Sequence, residues 1–529
     1  MICRSNDAWG SGGGGARSCT RRVVVALFAV ACQLAPLGAA TQAGATKQTK
    51  QTEQTEQPKQ PNVLLILVDD LRPELAAFGA RHGAMPCLDA FNEKATVLTR
   101  HFVQVPTCGA SRYAFLTGRS PKASRALGNE AFFRGPTAIP KVTEPAASES
   151  RPRPAWTMPE LFRQNGYRTV QIGKVSHTPD GKVYAYDGSG DGRAELPGAW
   201  DEVTTPYGPW KRGWGAFFAY PGGSHREDGE GHRDLMDFSA EQDSELPDGL
   251  LAARAVDVLA GFAKSKERFF LAVGFYKPHL PFVATRGDLR AIEALEQVDD
   301  SPEPSPTASS YFHASREFFG YKNAFEKDRP LVAADRLDAR RAYLACARFV
   351  DRQIGKLLAA LKDGGLDENT IVVVWSDHGW HLGDSGIWGK HSPFERALHS
   401  PLLLKLPKKL LPKAPQRIDH LVASIDLYPT LIEACALERR ATAHTLDGLS
   451  LMPLLSGVEK PLWRQAVLSY WKDIVTVRSD THRWIARRGE GAAFVGVELY
   501  DLREGLDPGA RLPSVDAERA ARLAAFARE

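Results

Sequence analysis

Four short apolar runs in this chain are each followed at once by a polar cluster. The runs occupy residues 63–68, 169–172, 269–275 and 371–375. Continuous apolar runs of this length are typical of parallel strands that are buried on both faces. The clusters that follow them contain Asp69 and Asp70, Lys174 and His177, His279, and Asp377 and His378.

Helical patterns precede several of these runs. Residues 158–165 form a short pattern closed by Gly166, and residues 346–361 repeat apolar positions at helical spacing before Gly364 and Gly365. Alternation of helix and buried strand predicts an α/β sandwich with a large, mainly parallel central sheet. Ligands bind at the carboxyl ends of such strands, so we expect the four polar clusters to meet at one edge.

The pattern changes after residue 448. Residues 466–470 and 473–477 alternate between apolar and polar, and residues 517–528 follow a helical pattern. These features predict a smaller C-terminal antiparallel subdomain closed by a helix. Residues 195–249 are rich in Gly, Asp, Pro and aromatic residues, and we expect long loops there that shape a substrate pocket.

The N-terminal region predicts export. Arg21 and Arg22 precede an apolar run at residues 23–32, and small residues follow at 38–40, which is the order of a signal peptide. The run is too short to span a bilayer. A lipid anchor at Cys32 is the alternative leader, and simple export is favoured. We therefore predict a leader at residues 1–40, a disordered polar linker at 41–61, and a periplasmic, secreted or lipid-anchored protein.

Charge and cysteine content narrow the class further. The 529 residues carry a formal net charge of only +4 and no long Lys/Arg run, so a nucleic-acid partner is not expected. Four of the seven cysteines, Cys87, Cys108, Cys346 and Cys435, lie in the predicted fold. Their wide spacing fits no disulfide framework and allows at most one bridge if Cys108 is modified.

Cys108 is a candidate for reaction or modification because Arg112 follows it at a short distance. A nearby cation favours the thiolate form of a cysteine. The alternative is a small buried hydrophobe at the start of a helix.

The two acidic pairs suggest a metal site. Taken singly, Asp69–Asp70 reads as a solvated turn and Asp377–His378 as a helix cap. Together, three carboxylates and one imidazole suit a hard divalent cation, calcium or magnesium, better than zinc.

The segment PTCGASRYAFLTGR at residues 106–119 resembles the active-site signature of type I sulfatases, with Ala110 where proline is usual. VDDLRPELAAFG, GKVSH, YKPHLPF, WSDHGWHLGD and WGKHSPFE follow the order of that family's other motifs. The motifs look most like those of the iduronate-2-sulfatase branch and its bacterial relatives. The resemblance implies an alkaline-phosphatase-like fold with a catalytic domain at 62–448 and a C-terminal subdomain at 449–529.

The resemblance also implies roles for individual residues. A maturation enzyme would convert Cys108 to formylglycine, whose hydrated aldehyde attacks sulfur. A divalent cation, with Ca²⁺ favoured over Mg²⁺, would be held by Asp69, Asp70, Asp377, His378 and residue 108. Arg112 would orient the formylglycine with Lys174 and His177 nearby, while Lys390 and His279 would contact the sulfate ester and His279 would protonate the leaving oxygen.

The function expected from this resemblance is removal of sulfate from a sulfated carbohydrate, with a 2-O-sulfated uronic acid as the favoured substrate. Two alternatives stay open. One is a phosphomonoester or phosphodiester hydrolase of the same superfamily, because sulfate and phosphate esters share geometry. The other is a glycan-binding relative without catalysis.

Overall fold

The computed structural model describes residues 60–141, 153–296, 298, 309–312, 317–322, 331–438, 442–458, 462–503, 505–507, 511–512 and 515–528. The predicted leader lies outside these residues, as does all but the end of the predicted linker. No helix within the described ranges has the length and apolar character needed to cross a membrane.

The strands of the described part are β1 (Asn62–Asp69), β2 (Thr96–Leu98), β3 (His101–Phe102), β4 (Arg168–Gly173), β5 (Glu202–Val203), β6 (Met236–Ala240), β7 (Phe269–Pro278), β8 (Phe282–Thr285), β9 (Thr370–Ser376), β10 (His381–Leu382), β11 (Trp388–Gly389), β12 (Leu402–Lys405), β13 (Arg417–Ile418), β14 (Val422–Ala423), β15 (Ala466–Trp471), β16 (Ile474–Ser479), β17 (His482–Arg488) and β18 (Phe494–Asp501).

The α-helices of the same ranges are α1 (Pro86–Asn92), α2 (Cys108–Thr117), α3 (Pro121–Ser124), α4 (Met158–Gln164), α5 (Gly213–Phe217), α6 (Pro247–Ser265), α7 (Arg286–Glu293), α8 (Ala333–Asp363), α9 (Glu395–Leu398), α10 (Leu427–Ala434), α11 (Met452–Leu455) and α12 (Ala517–Arg528).

The central sheet has eight strands in the order β13-β2-β12-β9-β1-β7-β4-β5. Strands β9, β1, β7, β4 and β5 are mutually parallel, and β12 is antiparallel to both of its neighbours. The four apolar runs of the sequence are therefore four adjacent strands, and the prediction of a mainly parallel sheet is confirmed.

Strand β1 shows why the runs are apolar throughout. Leu64, Ile66 and Val68 join one hydrophobic cluster, which also contains residues of α6 and α8. The alternate residues of the same strand face a second cluster with residues of α2, α4 and α10. Both faces are covered by helices, and each buried aliphatic side chain contributes about 1.5–3 kcal/mol.

The predicted helices are present, with one difference in length. Helix α4 matches the predicted segment, whereas α8 begins at Ala333, earlier than predicted. Its first turns contain many charged residues, so apolar spacing alone did not indicate them. Residues 195–249 are less irregular than expected, since they include β5, α5 and β6. Cys87, Cys108, Cys346 and Cys435 are all free thiols, so none of the described cysteines forms a bridge.

A second sheet lies near the C-terminus. Strands β15, β16, β17 and β18 form an antiparallel sheet in sequence order. Helix α12 packs on it through Leu523 and neighbouring alanines, around Trp484. The predicted small antiparallel sheet and closing helix are confirmed, while the boundary between residues 448 and 449 stays a prediction.

Candidate active site

Polar residues from four neighbouring strands meet at the carboxyl edge of the central sheet. Asp69 ends β1, Lys174 follows β4, His279 follows β7 and Asp377 follows β9. Asp70 has a positive φ of 62°, so the chain turns sharply after β1. The sheet order thus brings the four predicted clusters together, as the strand pattern indicated.

Two glycines allow the ends of β4 and β7 to approach closely, which places Lys174 at this edge of the sheet. Gly173 has φ +70°, a conformation that L side chains rarely adopt. A Cβ on Gly274 of β7 would lie 1.9 Å from the carbonyl oxygen of Lys174. Glycine is therefore required at residue 274 for β4 and β7 to pair up to their ends.

Cys108 lies at the centre of the site, as the first residue of α2, and is 4% exposed. Its Sγ is 3.5 Å from Asp69 Oδ1, 3.3 Å from His378 Nε2 and 3.3 Å from Lys390 Nζ. Lys390 itself follows the short hairpin of β10 and β11. The thiol thus contacts both an acidic and a basic group.

The predicted metal ligands form one buried cluster. Asp69, Cys108, Asp377 and His378 offer ligand atoms that lie within 4.8 Å of one another. Asp70 joins an overlapping group with Asp69, Cys108 and His279, and its Oδ1 is 3.4 Å from His378 Nε2. Three buried carboxylates at such spacing fit an oxygen-preferring divalent cation, which would relieve their mutual repulsion.

Cations surround these carboxylates. Lys174 Nζ pairs with Asp69, and Lys390 Nζ is 3.0 Å from Asp70 Oδ1. Burial raises the pKa of Asp69, but Lys174 and Arg112 overcome this and hold that pKa well below its usual range. Burial raises the pKa of Asp70 well above its usual range, against the pull of Lys390.

Arg112 is fully buried and holds the acidic cluster rather than the thiol. Its Nε donates to Asp377 Oδ2 at 2.9 Å, and its Nη2 is 3.5 Å from Asp69 Oδ2. Its Nη1 donates to the carbonyl oxygens of Lys174 and Val175. The guanidinium therefore connects the ends of β1, β4 and β9.

The surroundings of Cys108 favour its neutral thiol form. Burial and the nearby Asp69 carboxylate raise its pKa to about 12. The spacing of Cys108 and Arg112 suggested a lowered pKa and a thiolate. The pKa is raised instead, because Arg112 pairs with Asp377 and Asp69 rather than with the thiol. The geometry consequently disfavours a cysteine thiolate as the nucleophile.

The predicted histidines outside the metal-ligand set, His279 and His177, occupy different places. His279 Nδ1 is 2.6 Å from the carbonyl oxygen of Leu280, and its Nε2 is 3.8 Å from Asp70 Oδ2. Burial and Lys390 lower the pKa of His279 to about 4. His177 is buried and lies near Trp214, with 5.5 Å between ring centroids and the rings tilted by 58°. It lines a cavity of about 720 Å³ together with Tyr186 and Trp214.

Glu317 is a member of the site that the sequence did not indicate. Its Oε1 is 3.0 Å from His279 Nε2, and its Oε2 is 3.4 Å from Lys390 Nζ. Although burial alone raises its pKa, Lys390 and His279 hold the pKa of Glu317 well below the usual range. The residue directly precedes the 3-10 helix Phe318–Gly320 in a part of the sequence without apolar periodicity, so only its tertiary contacts single it out.

Known proteins show the same fold and sequence pattern. A family model described as Sulfatase matches residues 61–436. The chain is 30% identical to human iduronate 2-sulfatase over 435 residues, covering 80% of this chain and 71% of the relative. It is also 30% identical to a sulfatase of Formosa agariphila over 446 residues, covering 80% and 78%.

Solved structures agree on the fold. A phosphonate monoester hydrolase from Silicibacter pomeroyi superimposes with a TM-score of 0.65 at 21% identity, covering 89% of this chain and 94% of that one. The large mixed sheet and small antiparallel sheet thus have the alkaline-phosphatase-like fold. Within that class the chain belongs to the sulfatase family, whose members hydrolyse sulfate esters with a metal ion and a formylglycine.

Proposed function

We propose that this sulfatase acts on a 2-O-sulfated uronic acid of a glycan, through a formylglycine made from Cys108 and with bound Ca²⁺. The proposal of a formylglycine nucleophile rests on the position of Cys108. Its Sγ contacts both the carboxylate cluster and Lys390, and its raised pKa suits a precursor better than a thiolate nucleophile. Identity of 30% to iduronate 2-sulfatase over most of both chains supports the substrate.

Asp69, Asp70, Asp377, His378 and residue 108 would hold the cation. The cation supplies Lewis-acid polarisation of the sulfate ester, and the hydrated aldehyde of formylglycine supplies the oxygen nucleophile. Lys174 and Lys390 carry positive charge close to Cys108, where Lys174 pairs with Asp69 and Lys390 with Asp70. They stabilise the negative charge that develops on the sulfuryl oxygens.

His279 is placed to protonate the leaving sugar oxygen. The carbonyl oxygen of Leu280 accepts a hydrogen bond from Nδ1, so the ring is fixed with Nε2 toward the site. Glu317 accepts from Nε2 at 3.0 Å and so favours a proton on that nitrogen. Only a ring that carries both protons can give one up from Nε2 while Nδ1 stays hydrogen-bonded to Leu280. The Glu317 carboxylate favours that charged form, because it raises the pKa of His279 against the effects of burial and Lys390.

Peptide mass spectrometry and turnover test the nucleophile together. We expect the peptide containing residue 108 to have the mass of an aldehyde, and Cys108→Ala to abolish sulfate release. Cys87→Ala is the matched control, because that thiol is half-buried and outside the cluster. An unmodified Cys108 in protein that turns over sulfate esters at full rate would refute the formylglycine.

A substrate panel tests the specificity. We expect kcat/KM on a 2-O-sulfated uronate disaccharide to exceed that on N-sulfated, 6-O-sulfated and aryl sulfates. Faster turnover of aryl phosphate than of any sulfate would instead favour the phosphoesterase alternative. Glycan binding by formylglycine-bearing protein without turnover would favour the binding-module alternative.

We also propose that the protein is exported, on the charged, apolar and small-residue order of residues 1–40. A maturation enzyme of the exporting cell would supply the formylglycine. N-terminal sequencing of protein recovered from the cell envelope or medium tests this: a start shortly after residue 40 supports cleavage, and a lipid on Cys32 supports anchoring.

A further inference from the structure

Arg226 is held flat among aromatic rings beside the active site. Its guanidinium carbon lies 3.3 Å from the centroid of the Phe218 ring, with Tyr186 at 5.6 Å and Tyr321 at 5.7 Å. Its backbone N–H donates to the Phe218 carbonyl oxygen at 3.1 Å. The side chain is 14% exposed, so its position is fixed and yet an edge is reachable from solvent.

One aromatic ring separates Arg226 from the catalytic groups. The Phe218 ring centroid is 6.2 Å from that of His279. The adjacent Phe217 contacts His279 at 4.6 Å and lies under Lys174 Nζ at 4.1 Å. The guanidinium is thus stacked on a ring that neighbours His279.

The hydrogen bonds of Arg226 leave one nitrogen for a ligand. Nε donates to Glu227 Oε1 at 2.7 Å, and Nη1 donates to the Tyr321 hydroxyl at 3.1 Å. Nη2 donates to no acceptor within the described part of the chain. A guanidinium that is stacked and fixed in this way loses little conformational entropy when it binds a carboxylate.

We propose that Arg226 binds the carboxylate of the sulfated uronic acid and thereby selects uronates over neutral sugars. This rests on the proposed function. In a pyranose ring, C2 and C5 lie across the ring from each other, so a 2-O-sulfate and a C5 carboxylate are one sugar ring apart. Arg226 is stacked on Phe218, whose ring centroid is 6.2 Å from that of His279, so one aromatic residue links the guanidinium to a group that we expect to contact the sulfate ester. The exposed Tyr186 ring beside Arg226 would pack against the sugar.

A matched substrate pair tests this. The probes are a 2-O-sulfated uronate disaccharide, the same disaccharide with its carboxyl reduced to an alcohol, and an aryl sulfate. We expect wild-type protein to prefer the carboxylate form, and Arg226→Gln to reduce that preference roughly 30-fold, the effect of losing one charge-assisted hydrogen bond. Arg226→Lys should recover part of the preference, because it restores charge without the planar fork.

Controls separate the proposal from misfolding and from failure of the proposed function. Arg254→Gln, which removes another part-exposed arginine paired to Glu202, should keep the preference. Aryl sulfate turnover reports whether each variant is folded and matured. If wild type prefers the carboxylate and Arg226→Gln does too, Arg226 serves only to hold Glu227 and Tyr321. If folded wild type turns over the aryl sulfate but shows no preference for the carboxylate, both the uronate specificity and the role of Arg226 are wrong.

Discussion

Glu395 ties the segment that carries Lys390 to the C-terminal sheet. Its side chain is 5% exposed, and its carboxylate accepts from Arg478 Nε at 3.1 Å and Nη2 at 3.2 Å, and also from Arg483 Nη2. Arg478 lies in β16 and Arg483 in β17. Glu395→Gln removes the charge and keeps the shape, so it leaves two buried arginines with too few acidic partners.

The structure gives the size of the effect. Burial raises the pKa of Glu395, but Arg478 and Arg483 overcome this and lower it to about 2. A shift of that size below the ordinary value corresponds to roughly 3 kcal/mol of stability at neutral pH. Asp507 reduces the net loss of stability in the variant. Burial raises the pKa of Asp507 to about 6 and the charge of Glu395 repels it, so removing that charge relieves Asp507. We therefore expect Glu395→Gln to cost about 2 kcal/mol.

The pH dependence follows from the direction of the shift. Because the pKa of Glu395 is lowered in the folded state, its stabilisation is complete above the ordinary carboxyl pKa. It is lost as the pH falls toward about 2. The difference in free energy of unfolding between wild type and Glu395→Gln should therefore be about 2 kcal/mol at pH 7 and smaller at pH 3.

Urea denaturation at the two pH values measures this difference. Glu368→Gln, at an exposed position, is the control and should change stability by less than about 0.5 kcal/mol. A Glu395→Gln variant with the wild-type urea midpoint at pH 7 would refute the reasoning. So would a loss of stability that is the same at pH 3 as at pH 7.

Three further predictions concern the site. Chelation should abolish sulfatase activity and added Ca²⁺ should restore it, with Asp377→Asn requiring at least roughly 10-fold more Ca²⁺; activity unaffected by prolonged chelation would contradict the metal site. Lys390→Ala should lower kcat/KM at least about 100-fold, as expected for a group that stabilises transition-state charge; steady-state kinetics showing a near-normal value would exclude that role. Gly274→Ala should destabilise the fold by more than about 2 kcal/mol in thermal unfolding, because its Cβ would meet the Lys174 carbonyl oxygen. The control is Gly261→Ala, which has open space around it and should be neutral or stabilising.

The sequence predicted the parts of the site that strands carry. Asp69, Lys174, His279 and Asp377 each follow an apolar run, and parallel pairing alone brings the ends of such runs to one edge. Cys108 and Lys390 come from a helix N-terminus and a short hairpin, which have no comparable periodicity. Their place in the site was predicted only from the resemblance to sulfatases, and the structure brings both into contact with the strand-end residues.

The sequence did not indicate Glu317, or Arg226 beside the site. Glu317 and Arg226 are placed by tertiary packing: one by ion pairs with His279 and Lys390, the other by stacking on Phe218. Neither contact leaves a pattern along the chain. The role expected for Arg112 also changes, because a single sequence separation cannot show that Asp377, rather than Cys108, is its nearest charged partner.

The burial of α2 bears on whether Cys108 is modified before or after the chain folds. Every residue of this helix is buried, and only 4% of Cys108 is exposed. A second enzyme, which is much larger than a sugar, cannot engage a sulfur this deeply buried once the helix has packed between the sheet and α10. Under the proposed maturation, oxidation of Cys108 must precede folding, so an unconverted chain that folds is permanently inactive, and the supply of active enzyme is decided before the chain folds.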